Sequence, residues 1–317
     1  MPRDLATPTP AVSVLTPAHD AARVVGATVD SVLAQDFRDW EMIVVDDGSR
    51  DGTAEVVTAR RDPRIRLLRQ AHAGLAAARS RAMAEARGEA ILLLDADGWL
   101  APDALSRLVA ALATAPEAVG AHGAFALVAE EARPGDAPPR RRAGPFPAGD
   151  LLEALLVGNL LAHGGHLLLR REAVRQAGPV LPHLRHGAEW EYWIRLSLLG
   201  PWVAAEGRAP LLCVRQRPGR APQDLAPAMR AIWGNPALAE RLGPARFAAI
   251  RRRAEAEQAW IVGRELIRHG QRAAGLERLR AAVAQAPTPR RALLLAAAHA
   301  LPVLPRRLHG PFLAYPG

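Results

Sequence analysis

The chain has 317 residues, half of them apolar, which is enough for one large domain with an appendage or for two modest domains. Its net charge is +9, and all 41 basic residues are arginine. Proteins that bind nucleic acids usually combine basic residues with aromatic ones that stack on the bases, and only 4% of this chain is aromatic, so we expect no nucleic-acid partner. The single cysteine, Cys213, excludes a disulfide framework and a cysteine-rich zinc site.

The N-terminal residues 1–10 are predicted to form a disordered tail. Prolines and an acidic residue stand where a secretory leader needs an apolar stretch. A bilayer-spanning helix needs about 20 apolar residues, and the nearest stretches, residues 154–169 and 292–305, are too short or interrupted. We therefore expect a cytoplasmic protein.

Strands and helices are predicted to alternate from residue 11 onward. Apolar and β-branched runs predict strands at residues 11–16, 40–45, 65–68 and 90–94. Apolar residues at helical spacing predict helices at residues 24–35, 53–61 and 75–86. This order is typical of right-handed βαβ units, which form a mostly parallel sheet with a ligand site beyond the carboxyl ends of its strands.

The second half of the chain is predicted to be more helical. Residues 130–150 are rich in proline, glycine and arginine and predict a mobile loop. Around it the pattern predicts further helices and strands, at residues 151–161, 167–170, 189–199 and 202–205. From residue 225 alanine, arginine and leucine recur at helical spacing. We expect an α/β domain at residues 11–224 and an α-helical region at residues 225–317.

Two acidic pairs lie where predicted strands end. Asp95 and Asp97 follow one strand, and such carboxylates can hold Mg²⁺ or Mn²⁺, which in turn neutralises a diphosphate. Asp46 and Asp47 follow another strand, and parallel strands bring such ends to one crevice. Taken alone, each pair also suits a turn or a helix cap.

Several motifs in order resemble the family 2 glycosyltransferases over about residues 11–220. They are VSVLTP at residues 12–17, SVLAQ at 31–35, VVDDGSRDGT at 44–53, GLAAAR at 74–79 and DAD at 95–97. The resemblance implies the GT-A fold, a Rossmann-like, mostly parallel sheet flanked by helices, here with a C-terminal helical appendage. It also implies a nucleoside-diphosphate sugar donor, a divalent metal and inversion at the anomeric carbon.

The resemblance implies donor-binding roles by position. Thr16, Pro17 and Ala18 match the first nucleotide-contacting loop, Asp47 the carboxylate that reads the nucleobase, Arg79 a residue near the phosphates, Asp95 the sugar or ribose side, and Asp97 the metal ligand. Family members often carry another acid directly after that ligand, where this chain has Gly98. We therefore expect a metal site with fewer carboxylate ligands.

The segment at residues 188–196 resembles the part of the family that carries the catalytic base. Aligning Trp190 places Glu189 at the base position and Ala188 where another acid usually stands, with Glu191 as the alternative if the register slips. A base there would take the proton of an acceptor hydroxyl. The structural alternative for Glu189 is an acid favoured by the positive end of a helix dipole.

Acceptor contacts are predicted from the same region. His163 lies in a loop where relatives place acceptor-side residues, and Trp190 and Glu191 are further acceptor candidates, although packing roles compete for all of them. Arg215, with Arg217 and Gly219, resembles a late phosphate-side loop.

The resemblance therefore implies a metal-dependent inverting glycosyltransferase of the hexosyltransferase type, with uridine favoured as nucleoside. The acceptor would be a hydroxyl of a glycan or of a lipid-linked saccharide, as in bacterial envelope polysaccharide biosynthesis. One alternative is a catalytically inactive module that binds sugar nucleotides or glycans, suggested by Ala188, Glu189 and Gly98. The other is a nucleotidyltransferase, which would carry a glycine-rich basic loop that residues 16–20 lack.

Two interpretations of the C-terminal helices compete. One is a packed cap on the catalytic domain, and the other is peripheral docking on an anionic membrane through Arg290, Arg291, Arg306 and Arg307. We favour the cap with some membrane contact, which would place the protein on the inner face of the cytoplasmic membrane.

Overall fold

The computed structural model describes residues 9–136, 141–143, 147–216 and 224–300, with residues 141–143 and 300 described by their backbone alone. The chain divides into two compact units. The α/β unit takes in the described residues up to Leu151 and those from Leu161 to residue 216, and the helical unit takes in Leu152–Leu160 and the described residues from 224 onward.

The described residues form strands and helices at the following positions. The strands are β1 (Val12–Ala18), β2 (Trp40–Asp47), β3 (Ile65–Gln70), β4 (Ala90–Leu93), β5 (Gly98–Leu100), β6 (Gly120–His122), β7 (Phe125–Val128), β8 (Arg141–Ala143), β9 (Leu167–Arg170), β10 (Trp202–Ala204) and β11 (Leu212–Arg215). The helices are α1 (Val25–Leu33), α2 (Thr53–Thr58), α3 (Leu75–Glu85), α4 (Ala104–Ala113), α5 (Leu152–Val157), α6 (Arg171–Ala177), α7 (Ala188–Leu199), α8 (Ala226–Trp233), α9 (Pro236–Leu242), α10 (Pro244–Arg268), α11 (Arg272–Gln285) and α12 (Pro289–Ala300).

A mostly parallel sheet forms the centre of the α/β unit, as the sequence predicts. Its strand order is β10-β6-β9-β4-β1-β2-β3, and only β9 runs antiparallel to its neighbours among the described strands. Every residue of β1 and β2 is buried, and α3 packs against both strands. The central strands therefore give the acidic motifs a rigid base.

A second sheet lies beside the acidic motif that follows β4. Its order is β5-β11-β7-β8, with β5 and β8 antiparallel to their partners and β7 parallel to β11. β5 begins directly after Asp97, so this sheet fixes the far side of that motif. β8 falls inside residues 130–150, which the sequence predicts to be a loop. The prediction misses this strand because a short strand rich in arginine shows no apolar alternation.

Helices alone form the helical unit within the described residues. Trp260, Leu279, Ala282 and Ala298 form its buried cluster. α10 and α11 cross closely, since a Cβ on Gly275 would lie 2.6 Å from the main-chain oxygen of Gly263. Throughout the described residues, we find no helix of the length and apolar character that crossing a membrane requires.

A buried carboxylate joins three segments of the α/β unit. Glu41 on β2 accepts hydrogen bonds from the Ser13 hydroxyl (2.8 Å) and from the Arg87 amide (2.7 Å), and its other oxygen binds the Arg87 guanidinium at 2.8 Å. Burial alone would raise the pKa of Glu41, but these hydrogen bonds and the Arg87 charge lower it below its ordinary value. Glu41 therefore stabilises the folded state as an anion.

We expect Glu41→Gln to lower the free energy of unfolding by about 2–4 kcal/mol at neutral pH, because a buried cluster loses its charge and part of its hydrogen bonding. The folded pKa of Glu41 is depressed, so its contribution is present above the unfolded pKa of about 4.3 and is lost as the pH falls. Urea titrations at several pH values measure both effects.

The matched control is Glu55→Gln on α2, an exposed site where the same charge is removed. Its effect should stay within about 0.5 kcal/mol. Equal losses in the two variants would contradict the role assigned to Glu41.

Candidate functional site

Asp47 is held at the end of β2 by donors from the end of β3 and from the loop that follows it. Its Oδ1 accepts hydrogen bonds from Gln70 Nε2 (2.7 Å) and from the Ala73 amide (2.8 Å), and its Oδ2 accepts one from the Gly74 amide (2.8 Å). Burial alone would raise the pKa of Asp47, but these hydrogen bonds lower it below its ordinary value. The site therefore contains a fixed anion with oriented oxygens.

Two histidines accompany Asp47 that the sequence analysis did not single out. The His19 and His72 rings lie 4.2 Å apart, and their Nδ1 atoms lie 2.8 Å and 3.2 Å from the main-chain oxygen of Asp47. Gly48 makes this approach possible, because a Cβ there would lie 2.8 Å from the His72 amide nitrogen. His19 directly follows the predicted nucleotide loop, which is the signal that could have identified it.

The predicted nucleotide loop is the end of β1. Parallel pairing sets Thr16 beside Val44 and Ala18 beside Asp46. Thr16 is fully buried, and its hydroxyl has no hydrogen-bond partner in the described part of the chain. Thr16, Pro17 and Ala18 therefore lie at the same sheet edge as Asp47.

The loop from Asp95 to Gly98 is held by its main chain. The Thr28 hydroxyl of α1 lies 2.7 Å from the main-chain oxygens of both Ala96 and Gly98, and the Gly98 amide donates to the Asp95 oxygen at 3.1 Å. Because these bonds use backbone atoms, they fix the loop without engaging the carboxylates of Asp95 and Asp97.

Arg215 holds the same loop from the other side. Its Nη1 donates to the main-chain oxygen of Asp97 at 2.6 Å, and its guanidinium lies 4.6 Å from the ring centroid of Trp99. The sequence prediction grouped it with Arg217 and Gly219 in a phosphate-side loop; those two residues lie outside the described residues. Arg215 itself contacts the Asp97 backbone.

Arg79, Asp95 and Glu189 form one charged cluster. Arg79 on α3 is only 4% exposed, and its Nη2 lies 2.8 Å from Asp95 Oδ1 and also contacts Glu189 Oε1. The Asp95 side chain is 42% exposed and that of Glu189 is 20% exposed. Three residues that the sequence analysis selected from separate motifs therefore meet, with the Asp95 side chain partly exposed and Oε1 of Glu189 buried.

The cluster changes the acid–base properties of Glu189. Burial raises the pKa of this carboxyl group to about 7, with the Arg79 charge opposing the shift and the Asp95 charge adding to it. A carboxyl group with such a pKa can take up a proton near neutral pH, which an ordinary glutamate does poorly.

Trp190 and Glu191 occupy the interior instead of an acceptor-facing surface. Trp190 is among the largest fully buried side chains of the α/β unit. Glu191 is also buried, and its two carboxylate oxygens bind Arg195 at 2.7 Å and 2.9 Å on the same helix. Neither side chain presents an exposed surface for the acceptor role that the sequence predicts, and Arg195 binds the carboxylate of Glu191, the alternative base.

His163 lies at the start of a 3₁₀ turn that approaches the end of β4. Gly164 permits the approach, since a Cβ there would lie 2.6 Å from the main-chain oxygen of Leu93. His163 makes an edge contact with the Phe125 ring, at 4.9 Å between centroids. Burial lowers its pKa while the Asp95 charge opposes the shift, so His163 is neutral near pH 7 and lies within the electrostatic reach of Asp95.

Comparison with known proteins identifies the class. The sequence matches Glycosyl transferase family 2 over residues 13–178, about half of the chain. The chain therefore belongs to glycosyl transferase family 2. The UDP-Glc:alpha-D-GlcNAc-diphosphoundecaprenol beta-1,3-glucosyltransferase WfgD of Escherichia coli is 40% identical over 92 residues, which are 28% of this chain and 36% of WfgD. The match covers as little as 10% of the length of other relatives.

Solved structures show the fold. TarS of S. aureus, residues 1–349 in complex with UDP-GlcNAc, gives a TM-score of 0.64 at 17% identity, covering 91% of this chain and 87% of that TarS fragment. The mannosyltransferase PcManGT from Pyrobaculum calidifontis, in complex with GDP-Man and Mn²⁺, gives 0.55 at 22% identity, covering 98% and 85%. The α/β unit therefore has the GT-A type fold that the sequence predicts.

Thr28→Val tests how the loop from Asp95 to Gly98 is held. The change keeps the side-chain volume but leaves the buried oxygens of Ala96 and Gly98 without the hydroxyl donor, so we expect a loss of about 1–3 kcal/mol in stability. Hydrogen exchange should also become faster in the peptide spanning residues 94–100. Thr58→Val, at an exposed position on α2, is the control and should change neither quantity. Unchanged exchange in Thr28→Val would contradict this account of the loop.

Proposed function

We propose that this protein transfers a sugar from a nucleoside-diphosphate sugar to a hydroxyl group of a saccharide or lipid-linked acceptor, with inversion at the anomeric carbon. The observation that carries the proposal is the cluster of Asp95, Arg79 and Glu189 at the edge of the sheet where Asp47 also lies, in a chain of this family. Glu189 is the proposed base.

Asp47 is the proposed reader of the nucleobase. A fixed, ionised carboxylate accepts hydrogen bonds only, so it suits a base that presents an N–H donor, as the imide of uracil does. Thr16, Pro17 and Ala18 would border the nucleoside at the neighbouring strand end. The UDP-GlcNAc complex of TarS supports uridine, whereas the GDP-Man complex of PcManGT keeps guanosine as the competing outcome.

Glycosyltransferases of this fold commonly use a divalent metal, and we propose Asp97 as its protein ligand. The donor set fits Mg²⁺ or Mn²⁺, because such ions are often held by one or two carboxylates together with substrate phosphates. The group of three potential ligands found among the described residues, His19, Asp47 and His72, lies at the proposed nucleobase end instead. When bound, the ion would offset the charge of the leaving diphosphate.

The transfer step follows from the position of Glu189. Its carboxylate takes the proton from the acceptor hydroxyl while the hydroxyl oxygen forms a bond to the anomeric carbon. The bond from that carbon to the phosphate oxygen breaks on the opposite face, and its electron pair leaves with the nucleoside diphosphate. General-base assistance of this kind contributes about 10²–10⁴ in rate.

Fewer residues are proposed to contact the acceptor than the donor. His163, neutral and within the electrostatic reach of Asp95, is the proposed acceptor-side hydrogen-bonding group. WfgD, whose name specifies a saccharide linked to diphosphoundecaprenol, supports a lipid-linked acceptor. Asp95 is proposed to bind the donor sugar.

A donor screen tests the proposed function. With Mn²⁺ present, the protein should release nucleoside diphosphate from one of UDP-glucose, UDP-GlcNAc or GDP-mannose, faster when undecaprenyl-diphosphate saccharides are added. Glu189→Gln should lower kcat about 10²-fold or more, and Asp97→Asn should abolish the metal dependence. Glu191→Gln is the matched comparison, because that carboxylate binds Arg195. Wild-type turnover by Glu189→Gln would reject the base, and no turnover with any donor would favour a binding module.

The pH dependence follows from the raised pKa of Glu189. The base acts only when it is ionised, so kcat/KM should rise with pH and level off above about 7. Initial rates measured in buffers of constant ionic strength test this rise of kcat/KM with pH. A profile that is flat between about pH 5.5 and 8 would contradict an acting base with that pKa.

Peripheral membrane contact by α12 is a further proposal. Two of the arginines named for it lie outside the described residues: Arg306 and Arg307. Arg291 binds Glu257 and is largely buried, whereas Arg290 and Leu293 are exposed. Co-sedimentation with anionic liposomes at low salt tests the idea, and the absence of binding there would reject it.

A further inference from the structure

One nitrogen atom serves two carboxylates in the charged cluster. Arg79 Nη2 lies 2.8 Å from Asp95 and contacts Glu189, while the Arg79 side chain is almost completely removed from solvent. A buried guanidinium is costly unless carboxylates or other acceptors surround it. Asp95 and Glu189 supply that compensation, because burial disfavours the charged form of Arg79 while the two carboxylates raise its pKa above its ordinary value.

This arrangement differs from the phosphate-side role that the sequence predicts for Arg79. A phosphate would have to compete with two carboxylates for the same Nη2, from a position that is only 4% exposed. Arginines that bind phosphates usually present their forked donors to the ligand. Here Nη2 contacts the proposed base and the proposed donor-sugar carboxylate.

We propose that Arg79 is a positioning residue that holds Glu189 beside Asp95 and acts on the transfer step through Glu189, without binding the donor phosphates. The inference rests on the proposed function, since it requires Glu189 to be the base. Arg79 and Asp95 are the charged groups that face Glu189 in the described residues, one from α3 and one from the loop after β4. A change at either one alters both the direction and the proton affinity of the Glu189 carboxylate.

The proposal also links the two substrates. A donor sugar that hydrogen-bonds to Asp95 competes with Nη2 for that carboxylate, which leaves the guanidinium more fully with Glu189. Donor binding then orients the base before the acceptor hydroxyl attacks the anomeric carbon. Arginine suits this task better than lysine, because the two N–H bonds of Nη2 have fixed directions in the guanidinium plane, whereas the donors of a lysine ammonium group rotate.

Arg79→Lys is the test, with Arg81→Lys as the matched control on the same helix. Arg81 donates to the main-chain oxygen of Arg69 at 2.8 Å, away from the cluster. We expect Arg79→Lys to lower kcat at least about tenfold and to move the acid limb of the pH profile to higher pH, because the shorter lysine keeps the positive charge but loses the close contact of Nη2 with Glu189. The dissociation constants of UDP and GDP, measured by calorimetry, should change less than about threefold.

A double-mutant cycle separates this inference from the proposed function. Adding Arg79→Lys to Glu189→Gln should lower kcat no further, because the group through which Arg79 acts is already neutral. A further loss equal to that of the single variant, or nucleoside-diphosphate binding weakened more than about tenfold, would overturn the positioning role. Wild-type turnover by Glu189→Gln would instead reject the base itself. If Arg79→Lys does not fold, Arg79→Gln is measured against the same outcomes.

Discussion

The parallel pairing of β1 with two neighbours is the constraint on which the site depends. β1 binds β2 on one side and β4 on the other, with Val12 opposite both Trp40 and Ala90. Because the three strands start in register, their carboxyl ends reach one edge of the sheet. Every acidic motif that follows one of them is therefore brought to that edge, however far apart the motifs lie in the sequence.

Backbone contacts then fix the Asp47 carboxylate and the loop that carries Asp95 and Asp97 within that edge. Amides of Ala73 and Gly74 orient Asp47, and the Thr28 hydroxyl and the Arg215 guanidinium hold main-chain oxygens of the loop that carries Asp95 and Asp97. Main-chain groups are suited to this because their positions are set by the surrounding secondary structure. Asp47 and the loop from Asp95 to Gly98 are thus positioned by rigid elements.

The sequence predicts the fold of the α/β unit well because its apolar runs are long and its turn residues are distinct. β2 and α3 are examples, with boundaries within two residues of those predicted. Short elements such as β8 are missed, since a strand of three residues held by backbone pairing leaves no periodic pattern. The predicted helix at residues 151–161 exists as α5. Its contacts place it in the helical unit, and the local sequence pattern does not reveal these contacts.

The candidate site was predictable as a set of motifs, whereas the side-chain partners were not. Glu189 and Glu191 differ by two positions, which on a helix is about 200° of rotation, so a small register error exchanges a site-facing acid for an interior one. The spacing of Glu191 and Arg195 already favoured an ion pair along one helix face, which makes Glu191 the weaker candidate for a base. No comparable spacing links Arg79 to Glu189, because that contact joins α3 to α7 and depends on how both helices pack. The chemistry proposed here thus depends on a contact between distant segments, for which sequence motifs supply the residues and only packing supplies the geometry.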